Sequence, residues 1–191
     1  MSDIILDGTG KGHQAKVNSN NELLVHATSV TMQDVSFSDG RAFSCYLKRN
    51  IATGGGSNET LGRLEYTGTD LLFVSQIIVS TNGAVSNVEF FYDSTSVSGG
   101  DAYTALNSNR GSSVASDTSI LTGSSTITET LSDALEFGNT RLNNTATSTI
   151  IYNLEGSIIL TKGKSISIVG TSGTTGDKLR AQIFWFEGSG L

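Results

Sequence analysis

Proline is absent from the 191 residues, where an average composition would supply roughly ten. Nothing in the sequence accounts for that absence. Cysteine occurs once, at Cys45, which excludes an intramolecular disulfide framework and any Cys-rich zinc site and fits a reducing compartment. Histidine occurs twice, at His13 and His26, with no HxH, HExxH or His/Cys cluster, so no metal centre or catalytic triad is legible. Charged residues make up 16%, below the usual quarter. The 12 basic residues are scattered, with Lys48 and Arg49 the only adjacent pair, and the net charge is −6; both argue against a nucleic-acid partner. The longest apolar stretch, LLFVSQIIV at 71–79, is broken by Ser75 and Gln76 and falls far short of the ~18 residues of a membrane-spanning helix. The opening residues show no basic n-region followed by an apolar h-region, so no membrane partner and no cleaved secretion signal are expected.

What remains is a strong β signal. Glycine is abundant, 22 of 191, and clusters of Gly, Ser, Thr, Asn and Asp separate runs of β-branched and aromatic residues. The pattern predicts strands near 14–17, 22–28, 31–37, 42–48, 70–80, 85–92, 145–160, 164–169 and 178–187. Many short strands without an internal repeat predict an all-β fold, an antiparallel β-sandwich or jelly roll. An extended Gly-rich N-terminal arm and hairpin (residues 1–28) precedes the sandwich domain (29–191). In the last strand Ile183 and Trp185 share one face, Phe184 and Phe186 the opposite one. A strand apolar on both faces is central in its sheet or lies at a subunit contact, which makes these four the candidate core or subunit-contact residues. Asn82-Gly83 and Lys162-Gly163 fit tight hairpins. Residues 94–126, rich in Ser, Thr, Gly and Asn, have no assignable pattern. Thr126 and Glu129 are spaced as a capping box, and Leu131, Ala134 and Leu135 then allow a short helix near 129–137, an irregular loop being the alternative.

Tests for chemistry return nothing catalytic. Gly8 to Gly12 lacks the spacing of a phosphate-binding loop, and Lys11 is followed by Gly12 rather than Ser or Thr. Glu129, Asp133 and Glu136 would share a face only if the helix exists, a spacing any solvated helix can show. By alternation Cys45 lies with Phe43 and Leu47, which predicts a buried thiol that packs as a small hydrophobe. Tyr46, Tyr92, Tyr103, Tyr152 and Trp185 allow a sugar-stacking platform, although strand aromatics are more often core. No catalytic residue, metal ligand or cofactor is expected.

Residues 6–27, LDGTGKGHQAKVNSNNELLVHA, carry the most specific signal. They resemble the opening DGTG-x-G-x-x-AKV-(D/N)-x-x-N-x-L of many tailed-bacteriophage virion proteins, matching at Asp7, Gly8, Thr9, Gly10, Gly12, Ala15, Lys16, Val17, Asn18, Asn21 and Leu23. Looser similarity continues through Tyr46-Leu47-Lys48, the segment 104–111 and the ending 154–169. The resemblance implies a non-enzymatic virion structural protein. The favoured role is a capsid decoration or cement protein on a jelly roll, commonly a homotrimer. It would be made in the host cytoplasm and carried on the capsid surface, bound to the major capsid protein or another virion protein. Under that reading the arm residues Asp7 to Gly12 (with Lys11), Ala15 to Asn18 and Leu23 form a docking arm, because a Gly-rich segment can order along another subunit. The alternatives are a tail- or fibre-associated role, or a carbohydrate-binding receptor-recognition sandwich that uses loops at 53–66 or 94–125.

Overall fold

Alternation of buried and exposed side chains organises the chain into strands. The computed structural model describes residues 39–52, 58–81, 86–131, 134–142, 148–172 and 174–188. The predicted strands at 14–17, 22–28 and 31–37, the N-terminal arm, residues 53–57 of the loop at 53–66 and the Asn82-Gly83 turn lie outside the described residues. Among those described there is no helix, and eleven strands form: β1 (Ala42–Asn50), β2 (Glu59–Tyr66), β3 (Leu71–Thr81), β4 (Ser86–Tyr92), β5 (Thr95–Tyr103), β6 (Leu106–Asn107), β7 (Thr118–Thr130), β8 (Leu135–Leu142), β9 (Ser148–Leu160), β10 (Ser165–Ser172) and β11 (Lys178–Gly188).

They build an antiparallel β-sandwich. One sheet has the order β6-β1-β11-β3-β9 and the second β5-β7-β2-β10-β4-β8. The pairing is nested: β1 takes β11, β2 takes β10, β3 takes β9 and β4 takes β8, all antiparallel. Successive pairs alternate between the two sheets, which is the winding of a jelly roll. Strands β5, β6 and β7 are an insertion between β4 and β8. Two of them widen the second sheet beyond β2, and β6 caps one end of β1.

The core lies between the sheets. Phe43, Cys45 and Leu47 of β1 point inward, beside Trp185, Ile183 and Ala181 of β11 and Val74, Ile77 and Val79 of β3. Leu64, Val88, Phe90, Ile166 and Ile168 face them from the second sheet. Gly62 is required at this contact, since a Cβ there would lie 2.6 Å from a Leu47 methyl and 2.7 Å from the Leu121 carbonyl. Strand β11 is central, flanked by β1 and β3; its inner face is core, and on its outer face Phe186 is covered by Phe73 while Phe184 stays half-buried.

Three expectations need correction. Among the described residues of 129–137 there is no helix: β7 runs through Thr130 and β8 begins at Leu135, because Glu129 is engaged by partners across the sheet. The segment 94–126 contains β5, β6 and most of β7; its small polar residues form strands because β7 pairs with both β2 and β5. Finally, the turn at Lys162-Gly163 forms, with Gly163 at φ 80° and the Lys164 amide donating to the Thr161 carbonyl. It is not a hairpin, however, since β9 and β10 belong to opposite sheets. The same holds for β3 and β4 on either side of Asn82-Gly83.

Buried Cys45 behaves as its packing dictates. Burial pushes its thiol from 9.0 up to about 12, opposed only by a backbone hydrogen bond at Ile183. Tyr66 is pushed from 10.0 to about 12, first by burial and then by the carboxylates of Glu187, Asp70 and Asp117. Both groups stay protonated in the folded chain where the unfolded chain would ionise. Their stabilising contribution is therefore complete below pH 9 and declines as pH rises toward 12. Labelling of Cys45 by a disulfide reagent at pH 8 should proceed only at the rate of unfolding; rapid labelling of the native protein would contradict this burial.

Candidate binding face

Of the residues the sequence singled out, the docking-arm set from Asp7 to Leu23 lies outside the described residues. Ile183 and Trp185 are buried in the core, Phe186 is buried on the opposite face, stacked on Phe73 with ring centroids 5.1 Å apart, and Phe184 is half-buried on that outer face. Tyr92 and Tyr152 pack on the core through the rings of Phe137 and Phe90, and Tyr103 also packs there. Tyr46 is 38% exposed. Asp133 lies outside the described residues, while Glu129 and Glu136 sit on separate strands and form no carboxylate pair.

Two carboxylates, one half-buried and one buried, have structural work. Glu129 of β7 accepts from Thr60 Oγ1 at 2.6 Å and from Ser167 Oγ at 2.7 Å, and Ser94 stands 2.9 Å from Ser167. These hydroxyls lie on the outer side of β2 and β10, so Glu129 fastens the inserted strand onto that sheet. Glu187, 1% exposed, accepts from Trp185 Nε1, Ser116 Oγ and the Asp117 amide, fastening the loop before β7. Glu187 is saturated by these donors, while Glu129, half-buried, is held by two hydroxyls, so each carboxylate has a structural role. Among the described residues no group of three His, Cys, Asp or Glu side chains is placed to hold a metal.

The outer face of the β1-β11-β3-β9 sheet is different, because it carries side chains with unused capacity. Its residues fall in cross-strand rows. One row is Ser44, Phe184, Gln76 and Asn153; the next is Tyr46, Gln182, Ile78 and Ile151; the third is Lys48, Arg180, Ser80 and Thr149. Asn50 and Lys178 pair beyond them.

At the first row the sheet is dented. Ser75 is an extra residue in β3 relative to β11, and residues 154–157 of β9 oppose it alone. Glu155 and Gly156 take left-handed conformations, φ 49° and 79°, to make that excursion. Aligned bulges on neighbouring strands re-aim side chains and recur beside functional sites. The dent is a cavity of about 270 Å³ whose lining includes Gln76, Asn153, Glu155, Phe184 and Phe186. Gln76 Nε2 donates to Asn153 Oδ1 at 2.6 Å, which leaves the Asn153 amide hydrogens and the Gln76 carbonyl available.

At the third row the sheet is cationic. Lys48 lies directly opposite Arg180, a like-charge cross-strand pair that weakens a sheet. Neither side chain has an ion pair among the described residues, although Arg41, Arg49, Arg63 and Lys164 all do. With Tyr46, Asn50 and Lys178 they line a second cavity of about 440 Å³ with no carboxylate among its described walls. The sequence signal for this site was period two: Tyr46-x-Lys48-x-Asn50 and Lys178-x-Arg180 each fall on one side of a strand. That spacing also separates the adjacent pair Lys48 and Arg49, sending one outward and the other into the interior.

No protein-family model matches the chain, and no curated protein matches it in sequence.

Proposed function

We propose that this chain is a non-enzymatic structural protein of a tailed-bacteriophage virion, a decoration or cement protein that binds the major capsid protein lattice. The observation that carries the reading is the segment Asp7 to Leu23, whose DGTGKGHQAKVNSNNEL run resembles the opening of such virion proteins. The jelly-roll winding supports it by analogy, since capsid-associated proteins use that fold repeatedly. In this reading the chain assembles as a homotrimer, the arm docks on the shell, and the sandwich projects from it.

The test is binding to capsids that lack the protein. The full chain should decorate them at saturable sites, and deletion of Met1–Gly12 should leave a folded sandwich that decorates them weakly or not at all, since Gly-rich terminal arms rarely carry core packing. Cryo-electron microscopy of intact particles should place it at threefold or quasi-threefold positions. Density at the tail tip would replace this reading with the tail-associated one. Unfolding of the deletion variant would refute the docking arm, and a sedimentation mass near 20 kDa would refute the trimer.

A further inference from the structure

We infer that the outer face of the β1-β11-β3-β9 sheet binds an oligosaccharide bearing carboxylates, with the acidic sugar held at Lys48, Arg180 and Tyr46 and an adjoining sugar in the bulge cavity at Gln76 and Asn153. The inference does not depend on where the protein sits on a particle.

The charge pattern is the first argument. In a chain of net charge −6, Lys48 and Arg180 are placed face to face with no internal counter-charge among the described residues, and Lys178 stands on the next row. Such an arrangement opposes folding and is relieved when an anion enters between the two heads. A guanidinium presents parallel N–H donors that match the two oxygens of a carboxylate, and the Lys48 ammonium adds a point charge beside them.

The neighbouring groups select the carrier of that carboxylate. Tyr46 offers an exposed ring with a hydroxyl at its edge, a surface that suits the apolar C–H face of a pyranose while the rim stays hydrogen-bonded. Asn50 supplies an amide on the same side. The Gln76–Asn153 pair lies four residues along β11 from Arg180, roughly 13 Å at strand rise, so the two cavities suit a short chain of sugars rather than a single one. The bulge cavity is lined by the Gln76 and Asn153 amides, the Ser75 and Ser108 hydroxyls and the Glu155 carboxylate, which are donors and acceptors for sugar hydroxyls, beside the aromatic rings of Phe184 and Phe186. Three cations on one face are too few for a nucleic-acid backbone, whose affinity scales with the number of phosphates neutralised. An acidic peptide would use the cations but has no need of the amide-lined cavity.

The experiment is titration calorimetry of the full-length protein with a tetrameric oligogalacturonate, its methyl-esterified form and a poly-glutamate peptide, at two salt concentrations. The oligogalacturonate should bind, more weakly at high salt, and its ester at least tenfold more weakly. Arg180→Gln and Lys48→Gln should each reduce affinity at least tenfold while melting at or above the parent temperature, because each removes a like-charge contact. Gln76→Ala should weaken binding without changing its salt dependence. No oligogalacturonate binding at millimolar concentration would overturn the proposal. So would binding indifferent to Arg180→Gln, or poly-glutamate binding of equal strength, which would assign the face to an acidic protein partner.

Discussion

Trp185→Ala is expected to lower the unfolding free energy by about 3–5 kcal/mol, the range for deleting a large aromatic from a packed core. Trp185 is 1% exposed on the central strand β11, between Phe43 of β1 and Val74 of β3. Its ring lies 6.1 Å from that of Phe43 at a tilt of 30°. Strands β1 and β3 are hydrogen-bonded along both sides of β11, so they cannot close over the space the indole leaves. A second loss adds to the cavity. The indole Nε1 donates to Glu187 Oε1 at 3.1 Å, so the substitution also strips a donor from a buried carboxylate. Trp185→Phe separates the two effects: it fills most of the volume but not the hydrogen bond, and should destabilise by about 1–3 kcal/mol. Since Trp185 is the only tryptophan, urea unfolding must be followed by far-ultraviolet circular dichroism rather than fluorescence. A change below about 1 kcal/mol for the alanine variant would be incompatible with a central, enclosed Trp185.

Trp185 also illustrates how far the sequence could be read. Alternation along 178–187 put Ile183 and Trp185 on one face and made the strand apolar on both, and the burial follows that pattern. The same rule placed Cys45 with Phe43 and Leu47. These are local consequences of a two-residue period and need no knowledge of partners. Pairing is different. Lys162-Gly163 marks a chain bend, yet the strands on either side of it, like those on either side of Asn82-Gly83, lie in opposite sheets, because the jelly roll pairs first with last and second with second-to-last. A turn signal records where the chain bends; only the packing of both sheets decides which strand each edge meets.

The insertion β5–β7 escaped for a related reason. Its Ser, Thr and Gly residues have weak intrinsic strand preference, and their order derives from remote groups: Glu129 reaching Thr60 and Ser167, and Arg49 reaching across to β7. The candidate binding face was half legible. Tyr46, Lys48, Asn50, Lys178 and Arg180 alternate visibly, but their convergence required the β1–β11 register. The bulges that form the Gln76–Asn153 cavity have no local signature beyond Glu155-Gly156.

Arg49 is where remote contacts should have their largest single effect. Its guanidinium is 2.6 Å from Glu59 Oε2 through Nε, 3.1 Å from the Gly123 carbonyl through Nη1, and 3.4 Å from Thr126 Oγ1 through Nη2. Both side chains of the ion pair are 9% exposed. One residue thus links β1, the start of β2 and the middle of β7, at the point where β7 passes so close to β2 that a Cβ on Gly123 would lie 2.4 Å from the Thr60 carbonyl. Removing one partner of a buried ion pair typically costs about 3–5 kcal/mol, because the remaining charge stays in a poorly solvating site. Arg49→Ala should fall in that range. Arg49→Met combined with Glu59→Gln should lose clearly less than Arg49→Ala alone, since no charge is then stranded and the stem volume is kept. Amide exchange distinguishes a local from a global effect: the variant should lose protection first in 118–130, while Ile183 and its neighbours on β11 keep theirs until the whole sandwich opens. Uniform loss of protection across both sheets would mean that the insertion is not a separately pinned unit but an integral part of the sandwich.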